Sequence, residues 1–216
     1  MFSVIFDMDG TLLDTQKICV PAWEAAGRAQ GICGLGEHIP FVCGFNEPAW
    51  VKYLVDNFPT LDIPQFKKQT LQYVIDNIVV KYKPGAQELL DFLKRNNIKV
   101  ALASGSSHET IDHHLAVVGA EKYFDVLVGG VDVSNGKPAP DIFLLAAEKL
   151  GVAPETCFVF EDSENGIIAG HRAGMKCIGI PDLVDFSDRV RGIMYTQLNS
   201  MDEAIKLFSE ILEQNK

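Results

Sequence analysis

The sequence predicts an α/β fold: a doubly wound, Rossmann-like parallel sheet with a small all-helical segment inserted directly after the first strand. Short apolar runs of strand length recur along most of the 216 residues, and patterns of helical period lie between them. Strands alternating with helices imply βαβ crossovers, hence a parallel sheet covered on both faces. One stretch, residues 15–82, breaks the alternation, which marks it as a separate unit.

The first apolar run, residues 2–6, ends abruptly at Asp7, as a buried strand does. Similar runs occupy 99–103, 125–128, 157–160 and 176–180. Between them Ala86, Leu89, Leu90 and Leu93 fall at i, i+3, i+4 and i+7, as do Phe143, Ala146, Ala147 and Leu150. Met201, Ala204, Ile205, Phe208, Ile211 and Leu212 describe a final amphipathic helix. Residues 15–82 carry no convincing buried strand. Cys19, Trp23 and Ala26 share a helical face, and 50–58 and 66–80 read as two further helices. Pro21, Pro40, Pro48, Pro59 and Pro64 cut this stretch into short segments, and Pro84-Gly85 marks the return to the alternating pattern. The expected organisation is a core of 1–14 with 83–216, and a helical domain of 15–82. In an open α/β sheet, ligands bind beyond the carboxyl ends of the strands. An insertion after the first strand is placed to act as a lid there.

Composition narrows the function. A hydrophobic content of 47% with 22% charged residues belongs to an ordinary globular protein. A net charge of −10 argues against a nucleic-acid partner, which calls for a basic face. It leaves room for a small phosphorylated molecule, whose charge a metal ion and a lysine can offset. The five cysteines (Cys19, Cys33, Cys43, Cys157 and Cys177) form no C-x-x-C pair, a scattered odd set that suits a reducing compartment, and most of them read as buried apolar residues. Neither a secretory leader nor a run of the roughly 20 apolar residues needed for a membrane span is apparent. A cytoplasmic monomer without membrane attachment is expected.

Four strand ends carry polar residues that open onto one edge of such a sheet. The first is Asp7-Met8-Asp9-Gly10-Thr11, two carboxylates one residue apart followed by a turn glycine. The second is Ala103-Ser104-Gly105-Ser106-Ser107, a hydroxyl-rich turn in which Ser106 or Ser107 also suits a helix N-cap. The third, Asn135-Gly136-Lys137-Pro138-Ala139-Pro140-Asp141, sets a lysine before a stiffened Pro-x-Pro backbone. The fourth is Phe160-Glu161-Asp162-Ser163, adjacent acids that are costly at the end of an apolar strand unless a cation receives them. Each feature alone has a bland explanation as a turn, a cap or a surface lysine. Their order along the chain is far more specific.

That order, carried by Phe6-Asp7-Met8-Asp9-Gly10-Thr11-Leu12-Leu13-Asp14-Thr15, Lys137-Pro138-Ala139-Pro140-Asp141 and Glu161-Asp162-Ser163-Glu164-Asn165-Gly166, resembles the haloacid dehalogenase-like (HAD) superfamily over nearly the whole chain. Within it the chain is most similar to the β-phosphoglucomutase-like branch of small phosphosugar phosphatases and mutases, whose cap domain the helical insertion resembles. The resemblance implies that Asp7 is a nucleophile and Asp9 a general acid/base. It implies that Ser104 and Lys137 bind phosphate, with Gly10, Gly105 and Ser106 offering backbone or hydroxyl donors beside them. It implies a Mg²⁺ held by Asp7, the backbone carbonyl of Asp9, Asp162 and, directly or one shell out, Glu161.

These roles suit a reaction whose uncatalysed rate is so low that enhancements of up to about 10²¹-fold are needed. A carboxylate attacking a dianionic phosphoryl group meets like-charge repulsion, which a divalent cation and Lys137 would relieve. In the mutase pattern a histidine and an arginine help to hold a bisphosphorylated sugar. The corresponding positions here fall on Cys19 and within Gly44-Phe45-Asn46-Glu47, on Glu47 by ungapped count. A carboxylate cannot clasp a phosphate as a guanidinium does, so hydrolysis of a small phosphorylated metabolite is favoured over mutase chemistry. Glu47 is a candidate contact to the leaving group, although its loop also reads as a plain turn and helix start. A signalling receiver domain is the reading of another class, disfavoured by chain length, by the insertion and by an acceptor on the first strand. A nucleotide-binding Rossmann domain is disfavoured because D-x-D-G follows the first strand where G-x-G-x-x-G would be required.

Overall fold

The computed structural model describes residues 2–42 and 47–214; of Ala49 only the backbone is described. The chain divides into two units, one formed by residues up to Asp14 and from Val80 onward, the other by Thr15–Val79.

The first unit is built on a parallel sheet of β1 (Ser3–Phe6), β2 (Val100–Ala103), β3 (Val126–Val128), β4 (Cys157–Glu161), β5 (Lys176–Gly179) and β6 (Thr196–Gln197), in the order β3-β2-β1-β4-β5-β6. Alternation along each strand explains why helices cover both faces. Val4, Phe6, Val100, Leu102, Phe158 and Phe160 join one apolar core, and Ile5, Ala101, Ala103, Cys157 and Val159 join another. Leu89, Leu90 and Leu93 of α5 (Ala86–Arg95), Leu115 of α6 (His108–Val118) and Phe208 of α10 (Glu203–Gln214) complete the first core. The second is completed by Phe143, Ala146 and Leu150 of α7 (Asp141–Leu150), Ile167 of α8 (Glu164–Arg172) and Val190 of α9 (Asp188–Arg191). This is the doubly wound α/β architecture expected from the sequence. The sequence reading contains no counterpart of β6: two residues paired to the sheet edge leave no periodic signal.

β1 lies at the centre, with Phe6 in register with Leu102 of β2 and Phe160 of β4. The chain leaves β1 on one side for β2 and β3 and crosses back to β4 on the other. Its carboxyl end is therefore the switch point of the topology, where such sheets bind ligands. Beyond it Gly10, at φ +81°, turns the chain so that Leu13 N–H bonds Met8 O at 2.9 Å. The returning segment rejoins this unit at Val80, because Leu13 bridges to Tyr82 and Asp14 N–H donates to Lys81 O at 2.9 Å.

The Thr15–Val79 unit contains α1 (Cys19–Arg28), α2 (Ile39–Val42), α3 (Glu47–Asn57) and α4 (Ile63–Asn77). Trp23 of α1 meets Phe66 of α4 edge-on at 5.3 Å and Trp50 of α3 at 5.7 Å, which makes the aromatic centre of the unit. Asp62 caps α4 by accepting from Gln65 N–H at 3.0 Å, with Pro64 in the first turn. That cap starts α4 three residues before the apolar periodicity does. No described helix is long and apolar enough to cross a membrane.

Candidate active site

Three adjacent strand ends and one loop deliver the polar residues. Asp7 follows β1, its N–H tied to Phe160 O at 3.0 Å, while Glu161 closes β4 and Asp162 follows it. Glu161, Asp162 and Asp7 are all buried, Glu161 to 1% exposure, and one carboxylate oxygen from each lies within 4.8 Å of the others. Lys137 reaches in from the segment between β3 and α7, its Nζ 2.5 Å from Asp7 Oδ1 and 2.5 Å from Glu161 Oε1. Arg172 holds that segment by donating to Pro138 O at 2.8 Å.

Several side chains fix the acids in place. Thr11 Oγ1 donates to Asp162 Oδ1 at 2.9 Å. Ser163 donates to Glu161 Oε2 through its N–H at 3.0 Å and its hydroxyl at 2.9 Å. Gly166, in the first turn of α8, leaves space for that carboxylate: a Cβ there would lie 1.8 Å from the Glu161 carboxyl carbon. The β2 end supplies the hydroxyls. Ser106 Oγ donates to Asp9 Oδ2 at 2.9 Å, Ser104 Oγ lies 3.4 Å from the same oxygen, and Ser106 N–H donates to Ser104 Oγ at 3.1 Å. Ser107 is the residue that caps α6, accepting from Thr110 N–H at 3.3 Å.

The electrostatics of this cluster are those of too much negative charge in too little water. Burial pushes the Asp7 carboxyl up to about 8, with Lys137 pulling back and Glu161 adding to the rise. Asp162 is raised by burial and then by Glu161 and Asp7. Burial would lower Lys137, but the Asp7 and Glu161 carboxylates outweigh it and hold the lysine charged. Three buried carboxylates face a single ammonium, and their donor atoms are all oxygen. That is the chemistry a hard cation such as Mg²⁺ takes, so the residues fit the metal that the resemblance implies.

The structure thus brings Asp7, Asp9, Ser104, Ser106, Lys137, Glu161 and Asp162 together at one sheet edge. Gly10 lies in the β1 turn, but its own N–H is committed to Leu13 O at 2.8 Å, so its part is the turn itself. Gly105 lies in the hydroxyl turn and is backed by Gly130, where a Cβ would come within 2.3 Å of the Gly105 carbonyl oxygen. Glu47 belongs to the helical unit, where it is exposed and paired with Lys67. Gly44, Phe45 and Asn46 lie outside the described residues.

A haloacid dehalogenase-like hydrolase family profile matches residues 3–174. The chain belongs to this family. Among its relatives, a phosphorylated carbohydrates phosphatase of Thermotoga maritima is 36% identical over 181 residues, covering 82% of this chain and 84% of that one. The fructose-1-phosphate phosphatase YqaB of Escherichia coli is 33% identical over 183 residues, covering 82% and 95%. A solved structure of a candidate β-phosphoglucomutase from Thermotoga maritima superposes with a TM-score of 0.80 at 31% identity, covering 98% of this chain and all of that one. The chain is accordingly a HAD-like hydrolase with the fold of its solved relatives.

Four residues around the HAD site were given no role from sequence. Thr11 stands inside the first motif, yet nothing in the pattern says that it bonds Asp162 across 151 positions. Ser163 and Gly166 stand inside the last motif without a role of their own, and only the fold shows Glu161 lying over the glycine. His114 lay unremarked on α6.

Proposed function

We propose that this HAD-like hydrolase is a Mg²⁺-dependent phosphatase of a small phosphorylated carbohydrate, working through an aspartyl-phosphate on Asp7. The observation that carries the reading is Lys137, seated between Asp7 and Glu161 beside a third buried carboxylate. The nucleophile, the counter-charge and the metal-type donor set meet within a few ångströms. The names of the two phosphatase relatives supply the substrate class.

In this reading a carboxylate oxygen of Asp7 attacks phosphorus and the ester bond to the sugar oxygen breaks. Asp9 gives its proton to that departing oxygen. A water molecule then attacks the phosphorus of the aspartyl-phosphate, Asp9 takes the water's proton, and phosphate and the Asp7 carboxylate are released. Lys137 and the hydroxyls of Ser104 and Ser106 hold the phosphoryl oxygens as charge shifts between attacking and leaving atoms. Asp162, Asp7 and the Asp9 carbonyl would hold Mg²⁺, with Glu161, already engaged by Lys137 and Ser163, as a nearby or additional ligand. When bound, the cation supplies Lewis-acid charge neutralisation at the phosphoryl oxygens. In this reading the Thr15–Val79 unit would serve as the cap, Glu47 being the residue in it proposed to influence which leaving group is taken.

The test is release of inorganic phosphate from a panel of sugar phosphates, run with Mg²⁺ and with excess EDTA. Mg²⁺-dependent release from hexose or pentose monophosphates is expected. Full turnover in EDTA would remove the metal from the reading. Quantitative conversion of glucose 1-phosphate to glucose 6-phosphate without free phosphate would make the enzyme a mutase instead.

A further inference from the structure

His114 stands on the inward face of α6, one turn after Ile111 and next to Leu115, and is buried with them. Its side chain is nine-tenths buried, yet Nδ1 has no hydrogen-bond partner among the described residues. That nitrogen points at the site: it lies 4.0 Å from Asp9 Oδ1. The other Asp9 oxygen, Oδ2, is the one that accepts from Ser106 at 2.9 Å and faces Ser104 at 3.4 Å. The two oxygens of the carboxylate are therefore addressed from different elements, one by the β2 turn and one by α6. The ring of His113 is beside it, with centroids 5.9 Å apart. A buried imidazole nitrogen left unpaired is costly, and a movement of about 1 Å would bring this one within hydrogen-bond range of Asp9.

We propose that His114 is a positioning residue for Asp9, donating Nδ1–H to Oδ1 so that the carboxyl group is held from both sides while it exchanges its proton. A carboxylate partner selects the tautomer with the proton on Nδ1. Ser106 and Ser104 address Oδ2, and a donor at Oδ1 adds a hold from the other side of the carboxyl group. Held also through Oδ1, the group keeps one plane, and the proton-bearing oxygen keeps its aim on the departing oxygen. Misplacement of a catalytic group by about 1 Å can cost on the order of 100-fold. This inference rests on the reading of Asp9 as general acid, and its effect is confined to esters whose leaving oxygen needs that proton.

The test compares kcat/KM, which for this two-step reaction reports the phosphoryl transfer to Asp7, on esters of different leaving group. Phenyl phosphate and glycerol 2-phosphate leave poorly without protonation, whereas p-nitrophenyl phosphate leaves well. His114→Phe keeps the ring volume and removes the donor. It is expected to lower kcat/KM about 10–100-fold on the two poor leaving groups and at most a few-fold on p-nitrophenyl phosphate. His114→Asn, whose amide nitrogen lies near the position of Nδ1, should recover most of the loss. His114→Gln, whose amide lies further out, should not, and this pair reads the proposal even if the Phe variant does not fold. A loss equal on all three esters, no loss on any, or equal behaviour of Asn and Gln would overturn it. Asp9→Asn in the same assay separates the two levels. If it shows the leaving-group dependence and the His114 variants do not, only the role of His114 falls; if it shows none, the general-acid reading falls and takes this inference with it.

Discussion

In the sheet-bearing unit Asp7, Glu161, Asp162 and Lys137 are buried together and held by Thr11, Ser163 and neighbouring backbone. In the helical unit the described ion pairs, Glu24–Arg28, Lys52–Asp56 and Glu47–Lys67, lie at the surface. The apolar residues divide in the same sense. The central strands β1, β2 and β4 are wholly buried, whereas α4 leaves Leu71 and Ile75 more than 60% exposed. Buried charge is tolerated only where each group has its partner, so the strand ends admit few substitutions without loss of the site. Surface pairs are worth about 0–1 kcal/mol and can change at little cost. The proposed reaction chemistry would therefore reside in the first unit, and the selectivity proposed for Glu47 would lie on a surface that tolerates change.

That contrast can be broken by mutation. Asp7→Asn removes the proposed nucleophile while keeping its shape, and should lower kcat at least about 10⁴-fold with the far-ultraviolet circular dichroism unchanged. Retention of a tenth of the activity would place the nucleophile elsewhere. Gly166→Ala comes next. Its Cβ would collide with the Glu161 carboxylate, displacing the partner of Lys137, so a loss of about 1–3 kcal/mol in thermal or urea unfolding and a clear drop in activity are expected. A fully active, equally stable variant would show that Glu161 need not lie where it does.

Smaller effects test the helical side. Glu47→Ala should cost less than about 1 kcal/mol of stability, since its pair with Lys67 is exposed, yet shift relative kcat/KM among sugar phosphates several-fold. An unchanged profile would return Glu47 to a plain helix start. Among the described cysteines, thiol labelling of the folded protein should reach exposed Cys33 first. Cys157 and Cys177, which burial pushes up to about 11 and about 12, should react only on unfolding. Early modification of either would contradict the packing of the second core.

The parts of this molecule that sequence discloses are those with short-range physical signatures. Strand-length apolar runs and helical periods expose the sheet and its covering helices, and acids or hydroxyls that end such runs mark the site, as at Asp7, Ser104 and Glu161. Contacts between distant positions leave no such trace. Thr11 with Asp162 and His114 beside Asp9 exist only once β1, β2 and β4 lie side by side, and Glu161 lies over Gly166 only through the turn from β4 into α8. β6 was too short for any period to register, and α4 begins at Ile63 because of its Asp62 cap, before its apolar stripe starts.

The central claim, that Asp7 itself carries the phosphoryl group, is tested most directly by trapping it. Asp9→Asn, which should slow attack by water, is mixed with p-nitrophenyl phosphate and Mg²⁺, quenched in acid and digested for mass spectrometry. A phosphoryl adduct on the peptide bearing Asp7, formed with the burst of nitrophenolate, is the predicted result. A burst with the adduct on any other residue would contradict the account.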